Sequence, residues 1–526
     1  MTHISTFAAE ERVFDALLIP ICGVLQAVAL GIAVFATRDI FVSLHSDAAP
    51  QNLSFVVLGC AGILAAGLEA VSRIRAEALG QSYAISLRNR LYMHLSRLPR
   101  SSITKKRLGG LALRFVGDLS AARNWFGRGL PRIVSAVIVL PSAGFVFWLL
   151  EPQFLLPVVA PIGLSILVSI ALIFRLETHH RNLRGRRARI AIDAIERLAM
   201  SPELDLMGRT RKERRSMKKN GRLLLENAVA RAARVGLVRL TLQAGAALAA
   251  LLILWTTAVN AIAPGFAAAG LSMIAILMIP LTDLADAWDK YCAWRIAREK
   301  LNRIFDLPQQ TRKISGLGYA ASIRICGAFD GHKLDISVPA GGIAAVTAGN
   351  GLDTSRLLAV IAGLDDEPDL DVQFQDRSTA LPRIGYIGVE PVVLRGSLRR
   401  NLALGTTKRP DDATIDAAAH AFGLGPLMER IGGLDGRIEE SGRNLRIGEL
   451  NRLELARTAL TQPDVVVVDS PRLSANTRSK GLVANLHRRL NATILIANRG
   501  DAPIEGALDV TPDNATYQRV IIPQGV

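Results

Sequence analysis

The chain has 526 residues, half of them apolar and 21% charged, with a mean hydropathy of +0.28. That balance excludes a disordered or fibrous protein and sets the chain apart from wholly soluble ones. Lys and Arg outnumber Asp and Glu by 63 to 46, yet residues 1–310 carry 38 basic and 21 acidic side chains while residues 311–526 carry 25 of each. The excess therefore belongs to the hydrophobic half, where it fits membrane orientation, and no nucleic-acid partner is expected.

The N-terminus, MTHISTFAAEERVFD, is acidic where a secretory signal would be basic, so it reads as a cytoplasmic tail. Six windows then have the length and apolarity of membrane spans: Val13 to Thr37, Leu53 to Ser72, Ile133 to Leu150, Gln153 to Phe174, Leu240 to Ala263 and Gly265 to Thr282. A hydrocarbon core of about 30 Å needs about 20 such helical residues. Short connections alternate with long ones. Arg73 to Arg132 holds 13 basic residues against two acids, and Arg175 to Arg239 holds 18 against seven. Basic loops stay on the cytoplasmic side, which places both termini there. Stretches such as AISLRNRLYMHLSRL and RLLLENAVARAARV predict helical hairpins projecting into water, the alternative being amphipathic helices lying on anionic lipid. Pro20, Pro141, Pro157, Pro161 and Pro280 read as tolerated kinks. Asp283, Asp286 and Asp289 are assigned to a cytoplasmic extension of the sixth helix, and His179-His180 to a solvated stretch. The four cysteines fit no disulfide, zinc or redox pattern.

After Leu307-Pro308 the pattern changes to short β-rich runs: IRICGAF, KLDISVP, GGIAAVTAG, IGYIG, DVVVVDS and ATILIAN. Most are too apolar to have a wet face, which predicts an α/β domain with a largely parallel, buried sheet. In IAAVTAGNGLDTSRLLAVIAGL a strand feeds a glycine-containing turn and then a helix, the usual place for a phosphate-binding loop.

From here the resemblance is specific. That segment resembles the Walker A region of an ATP-binding cassette, IGYIGVEPVVLRGSLRRNLALG the Q-loop region, and ESGRNLRIGELNRLELARTALTQPDVVVVDSP the signature segment running into Walker B. RNRLYMHLSRLP with GGLALRFVGDL is similar to the first cytoplasmic loop of ABC exporters. The chain thus resembles an ABC exporter half-transporter. The implied fold is an α-helical membrane domain of six transmembrane helices with long cytoplasmic helical hairpins, at residues 1–309, followed by an α/β ATP-binding-cassette-like domain at residues 310–526. The resemblance implies ATP and magnesium as cofactors, a bacterial inner-membrane location, and a homodimer or a heterodimer with another half-transporter.

The residues that would serve those cofactors are largely replaced. Thr354 stands in the place of the Walker A Lys, Asp353 in that of the preceding Gly, and Arg356 in that of the last hydroxyl residue; Gly351 belongs to the same degenerate cofactor-binding set, with Ser355, Val389, Gly448 and Glu449. Ser355 and Asp469 occupy the positions that would hold magnesium. Ser470 replaces the Glu that polarises the attacking water, and serine is no general base near neutral pH. Asn498 replaces the switch His, and Val389 the Q-loop Gln. The signature reads Leu445-Arg446-Ile447-Gly448-Glu449, and Asn476 stands where the D-loop has Asp. Phe329 is either an adenine-stacking ring or core, and the short segment before KLDISVP favours core. Since each composite site takes Walker motifs from one subunit and the signature from the other, little or no ATP hydrolysis is expected. Two functions follow. One is exporter-like transport of an unknown, hydrophobic or amphipathic substrate. The other is a non-hydrolysing membrane scaffold or regulatory subunit that binds a partner protein through the cassette fold.

Overall fold

A computed structural model describes residues 10–46, 51–104, 114–174, 190–310 except 192, 195 and 199, 319–347, 353–374, 382–474, 477–490, 492–498 and 507–510. The chain folds as two compact units, Met1–Ser96 with Thr104–Pro308, and Arg97–Ile103 with Gln309–Val526.

The first unit is helical: α1 (Glu10–His45), α2 (Asn52–Leu95), α3 (Leu130–Leu150), α4 (Leu155–Phe174), α5 (Thr210–Val259) and α6 (Pro264–Phe305). Each belongs to one of six helical runs long and apolar enough to cross a membrane. Several ends differ from the apolar windows, among them these two. α1 continues past Thr37 to His45, and α5 stops at Val259, where the chain turns and Ala261 takes a left-handed φ of 51°. At about 1.5 Å per residue, the 44 residues of α2 reach about 66 Å, twice the depth of a hydrocarbon core, so its basic half continues beyond the apolar span as unbroken helix. α5, with 50 residues, does the same. Between α2 and α3, a π-helical turn at Trp125–Gly129 brings Gly127 against α2. A Cβ on Gly80 would lie 2.7 Å from the Gly127 Cα, so no larger side chain fits at that crossing.

The acids of α6 lie beyond Thr282, and each meets an arginine. Asp283 pairs with Arg132 at 3.2 Å, Asp286 with Arg132 at 3.1 Å and Arg239 at 3.0 Å, and Asp289 with Arg231 at 2.7 Å. His179-His180 falls outside the described residues.

The second unit contains β1 (Ile323–Phe329), β2 (His332–Val338), β3 (Ile343–Thr347), α7 (Thr354–Ile361), β4 (Leu370–Phe374), β5 (Ile384–Ile387), α8 (Ile447–Thr461), β6 (Val465–Val468), α9 (Thr477–Arg489), β7 (Thr493–Asn498) and β8 (Ala507–Val510). Five strands form a parallel sheet in the order β8-β3-β7-β6-β5. Strands β3, β7 and β6 are buried on both faces. Ala345, Val466, Val468, Ile494 and Ile496 belong to one apolar core, while their neighbours Ala344, Val346, Val465, Val467 and Leu495 belong to the other.

The parallel sheet does not take all the strands read from the sequence. IRICGAF and KLDISVP do not join the parallel sheet; with β4 they form a separate three-stranded antiparallel sheet, β2-β1-β4. The cause is local. Asp330 and Gly331 take left-handed φ values of 47° and 82°, which closes a two-residue hairpin, and burial along β2 alternates strictly after its first residue.

Candidate functional site

The parallel sheet gathers the motif positions at the carboxyl ends of its strands, where ligands bind in open α/β folds. Val389 lies two residues beyond β5, Asp469 directly after β6, and Asn498 at the end of β7 beside Thr347 of β3. Thr354 opens α7. Gly351 and Asn476 lie outside the described residues.

Asp353 caps α7, its carboxylate accepting the Arg356 backbone N–H at 3.0 Å. An Asp at this position satisfies one of the orphan amides of a helix start. An incoming phosphate would need the same amides and the same positive end of the helix. The Asp353 N–H is itself donated to the Asp330 carboxylate at 3.2 Å. The Arg356 guanidinium is engaged within the chain: it pairs with Asp330 at 3.1 Å and with Glu367, and lies 5.2 Å from the Phe329 ring centre. That ring is itself core, 1% exposed. Thr354 is buried, and its Oγ1 has no hydrogen-bond partner among the described residues.

Ser355 and Asp469 do come together. The serine Oγ donates to Asp469 Oδ1 at 2.8 Å, and the carboxylate is fully buried. Its other oxygen accepts the Tyr386 hydroxyl at 3.2 Å, and Arg100 in turn donates to the tyrosine oxygen at 2.5 Å and stacks over its ring. Tyr386 and Arg100 carried no sequence signal for this role. Ser470 is buried with its Oγ unsatisfied among the described residues. Asn498 accepts from the buried Lys480 Nζ at 3.3 Å and reaches Thr347 Oγ1 at 3.5 Å. In the signature, Gly448 is exposed in the first turn of α8, while Glu449 is buried and accepts the Arg446 N–H at 2.7 Å and the Arg430 guanidinium at 2.6 Å. Glu449 is thus half of a capping arrangement at the α8 start.

Burial, reinforced by the Asp469 charge, pushes the Tyr386 phenol up from an ordinary 10 to about 12. A raised pKa favours the neutral phenol in the fold, so its contribution to stability is complete below pH 10 and is lost as pH rises toward 12. The phenolate absorbance of the protein minus that of Tyr386→Phe is expected to titrate near pH 12. A difference titrating near pH 10 would show that the Tyr386 phenol is not buried beside the Asp469 charge.

Comparison with known proteins agrees with this architecture. The ABC transporter transmembrane region family matches residues 17–281. The molybdenum import ATP-binding protein ModC of Rhodopseudomonas palustris is 30% identical over 200 residues, covering 35% of this chain and 52% of its own. The multidrug efflux ATP-binding/permease protein of Mycobacterium bovis is 26% identical over 259 residues, 44% of this chain and 21% of its own. The glutathione/L-cysteine transport system ATP-binding/permease protein CydD of Haemophilus influenzae is 27% identical over 175 residues, 32% of this chain and 30% of its own. The alignments thus span from about a fifth to about half of these relatives. The solved structure of a bacterial Atm1-family ABC exporter with ATP bound matches with a TM-score of 0.77 at 19% identity, over 94% of this chain and 92% of that one. With a matched membrane region followed by an α/β cassette at the carboxyl side, the chain belongs to the ABC transporter transmembrane region family and has the fold of an exporter half-transporter.

Proposed function

We propose that the protein is an exporter-type half-transporter whose cassette, residues 310–526, is kept as a folded framework and does not hydrolyse ATP, while residues 1–309 form the membrane domain. One observation carries the reading: the helix start that would meet a triphosphate is capped by Asp353 of the same chain. The triphosphate cradle does not fit, because Thr354 stands in the place of the lysine, Arg356 is bound to two acids, and Asp353 opposes a polyanion. The Ser355–Asp469 pair keeps oxygen donors suited to magnesium, but here the two satisfy each other.

The charge distribution supports an inner-membrane protein with both termini cytoplasmic, and a second half-transporter, a copy or a related chain, completes the assembly. The transported substrate is hydrophobic or amphipathic, in keeping with sparsely charged spans. Internal satisfaction of Asp353, Asp469 and Glu449 also favours a second reading, a regulatory subunit that binds a partner protein through the cassette.

Saturating MgATP is expected to leave the thermal unfolding of the purified protein unchanged. A ligand at 100 times its Kd stabilises by about 2.7 kcal/mol, so a shift of that size would overturn the claim that the cradle does not fit a triphosphate, and MgATP-dependent phosphate release would overturn the absence of hydrolysis. Flux from reconstituted vesicles that is independent of nucleotide supports transport. Absence of flux, together with stable co-purification of a partner, supports the regulatory reading.

A further inference from the structure

The loop after β5 carries Val389, in the place of the Q-loop glutamine, and has no regular structure through Leu394. Its backbone is nevertheless gripped at two points. Arg457, on α8, donates to the Val392 carbonyl at 2.6 Å, and Arg472, just past Ser470, donates to the Val389 carbonyl at 3.0 Å. Both guanidiniums face Glu454 of α8, at 3.6 and 3.7 Å, and the glutamate side chain is only 2% exposed. We propose that Glu454, Arg457 and Arg472 form a permanent ionic clamp that ties the loop after β5 to the turn after β6 without any nucleotide between them.

The charge balance explains why the loop is held. Two guanidiniums against one carboxylate leave a net positive charge in a mostly buried cluster, and the two carbonyl oxygens supply the remaining negative dipoles. Releasing the loop would leave the arginines short of acceptors where water is scarce. Glu454 holds both cations by charge: its Oε2 and the Arg472 Nε have no hydrogen-bond partner among the described residues. Breaking a buried ion cluster by removing one member is far more disruptive than its net worth suggests. The contact also passes through the Val389 carbonyl, so the apolar side chain at this position does not weaken it. The clamp deepens the proposed function and rests on it: a cassette that does not use ATP keeps its segments in register by a fixed link.

Hydrogen exchange on the full-length protein in lipid nanodiscs tests this. Peptides spanning 388–395 are expected to exchange at least tenfold more slowly than the exposed loop at 407–410. Glu454→Gln and Arg472→Ala should each speed exchange at 388–395 by at least tenfold and leave β6 and β7 protected, with Arg472→Lys restoring part of the protection. Should Glu454→Gln fail to fold, the partly exposed Arg472 still gives the variant test. Fast exchange at 388–395 in the unaltered protein, or variants that exchange like it, would overturn the clamp. Exchange in the unaltered protein that changes on adding MgATP would instead overturn the nucleotide-independent reading, while the variants would still report on the clamp.

Discussion

Exchanging Asp353 for glycine and Thr354 for lysine together is expected to give the protein a MgATP-dependent rise in stability that is not expected of the unaltered chain, about 2.7 kcal/mol at 100 times the resulting Kd. Three effects act in the same direction. Removing the Asp353 carboxylate frees the Arg356 N–H at the helix start. It also removes a like charge that would repel a phosphate by about 1 kcal/mol at about 4 Å in water, and by several times that in a partly dry site. The new lysine supplies the ammonium that a phosphate-binding loop uses. The cost to α7 is small, since glycine in place of an N-cap aspartate loses only a few tenths of a kcal/mol. Ser355 and Asp469 are already 2.8 Å apart, so the remaining oxygen donors need little rearrangement. Hydrolysis is expected to stay at background in this variant, because Ser470 is no general base and the signature keeps Arg446 and Ile447. Thermal unfolding with and without MgATP, beside a phosphate-release assay, reads both outcomes. A folded double variant that does not respond to MgATP would place the obstacle outside these two positions.

The sequence shows most of this fold for identifiable reasons. The spans are continuous apolar runs, and the buried strands at 465–468 and 493–498 are β-branched or aliphatic almost throughout, so chemistry and structure coincide there. Asp469 is legible because it ends such a run. The β1–β2 pair is less so: KLDISV alternates as a one-sided strand does, yet its apolar residues alone suggest the parallel sheet, and only the left-handed Asp330-Gly331 turn settles the pairing. The side-chain network around the motifs is not legible at all. Arg100 and Tyr386 are 286 residues apart, and nothing local in either segment marks their meeting. Arg356 has the right charge for a phosphate, but its direction is set by Asp330 and Glu367, which are 26 and 11 residues away in sequence. Glu454 and Arg457 read only as parts of a framework helix, because their significance depends on carbonyls from a loop more than 60 residues upstream.

Asp469→Ala is expected to destabilise the cassette by about 2–4 kcal/mol, an effect opposite in kind to that of a carboxylate kept only for metal chemistry. A ligand-binding carboxylate stored in a buried site is a strain, and its removal is often neutral or stabilising. Asp469 is fully buried, and its two oxygens accept the Ser355 and Tyr386 hydroxyls, the second of which also receives Arg100. Removing the carboxylate takes an acceptor from two hydroxyl donors, and a buried donor left unsatisfied costs about 1–3 kcal/mol. Tyr386 should then titrate closer to its ordinary value of 10, since one cause of its raised pKa is gone. Asp469→Asn keeps an acceptor of the same shape and is expected to recover part of the loss. Calorimetric unfolding of the three proteins, with the phenolate titration as a second reading, decides between the roles. A variant as stable as the unaltered chain would mean that Asp469 is held for a ligand, whereas a loss of this size makes it the hub of the Ser355, Tyr386 and Arg100 network.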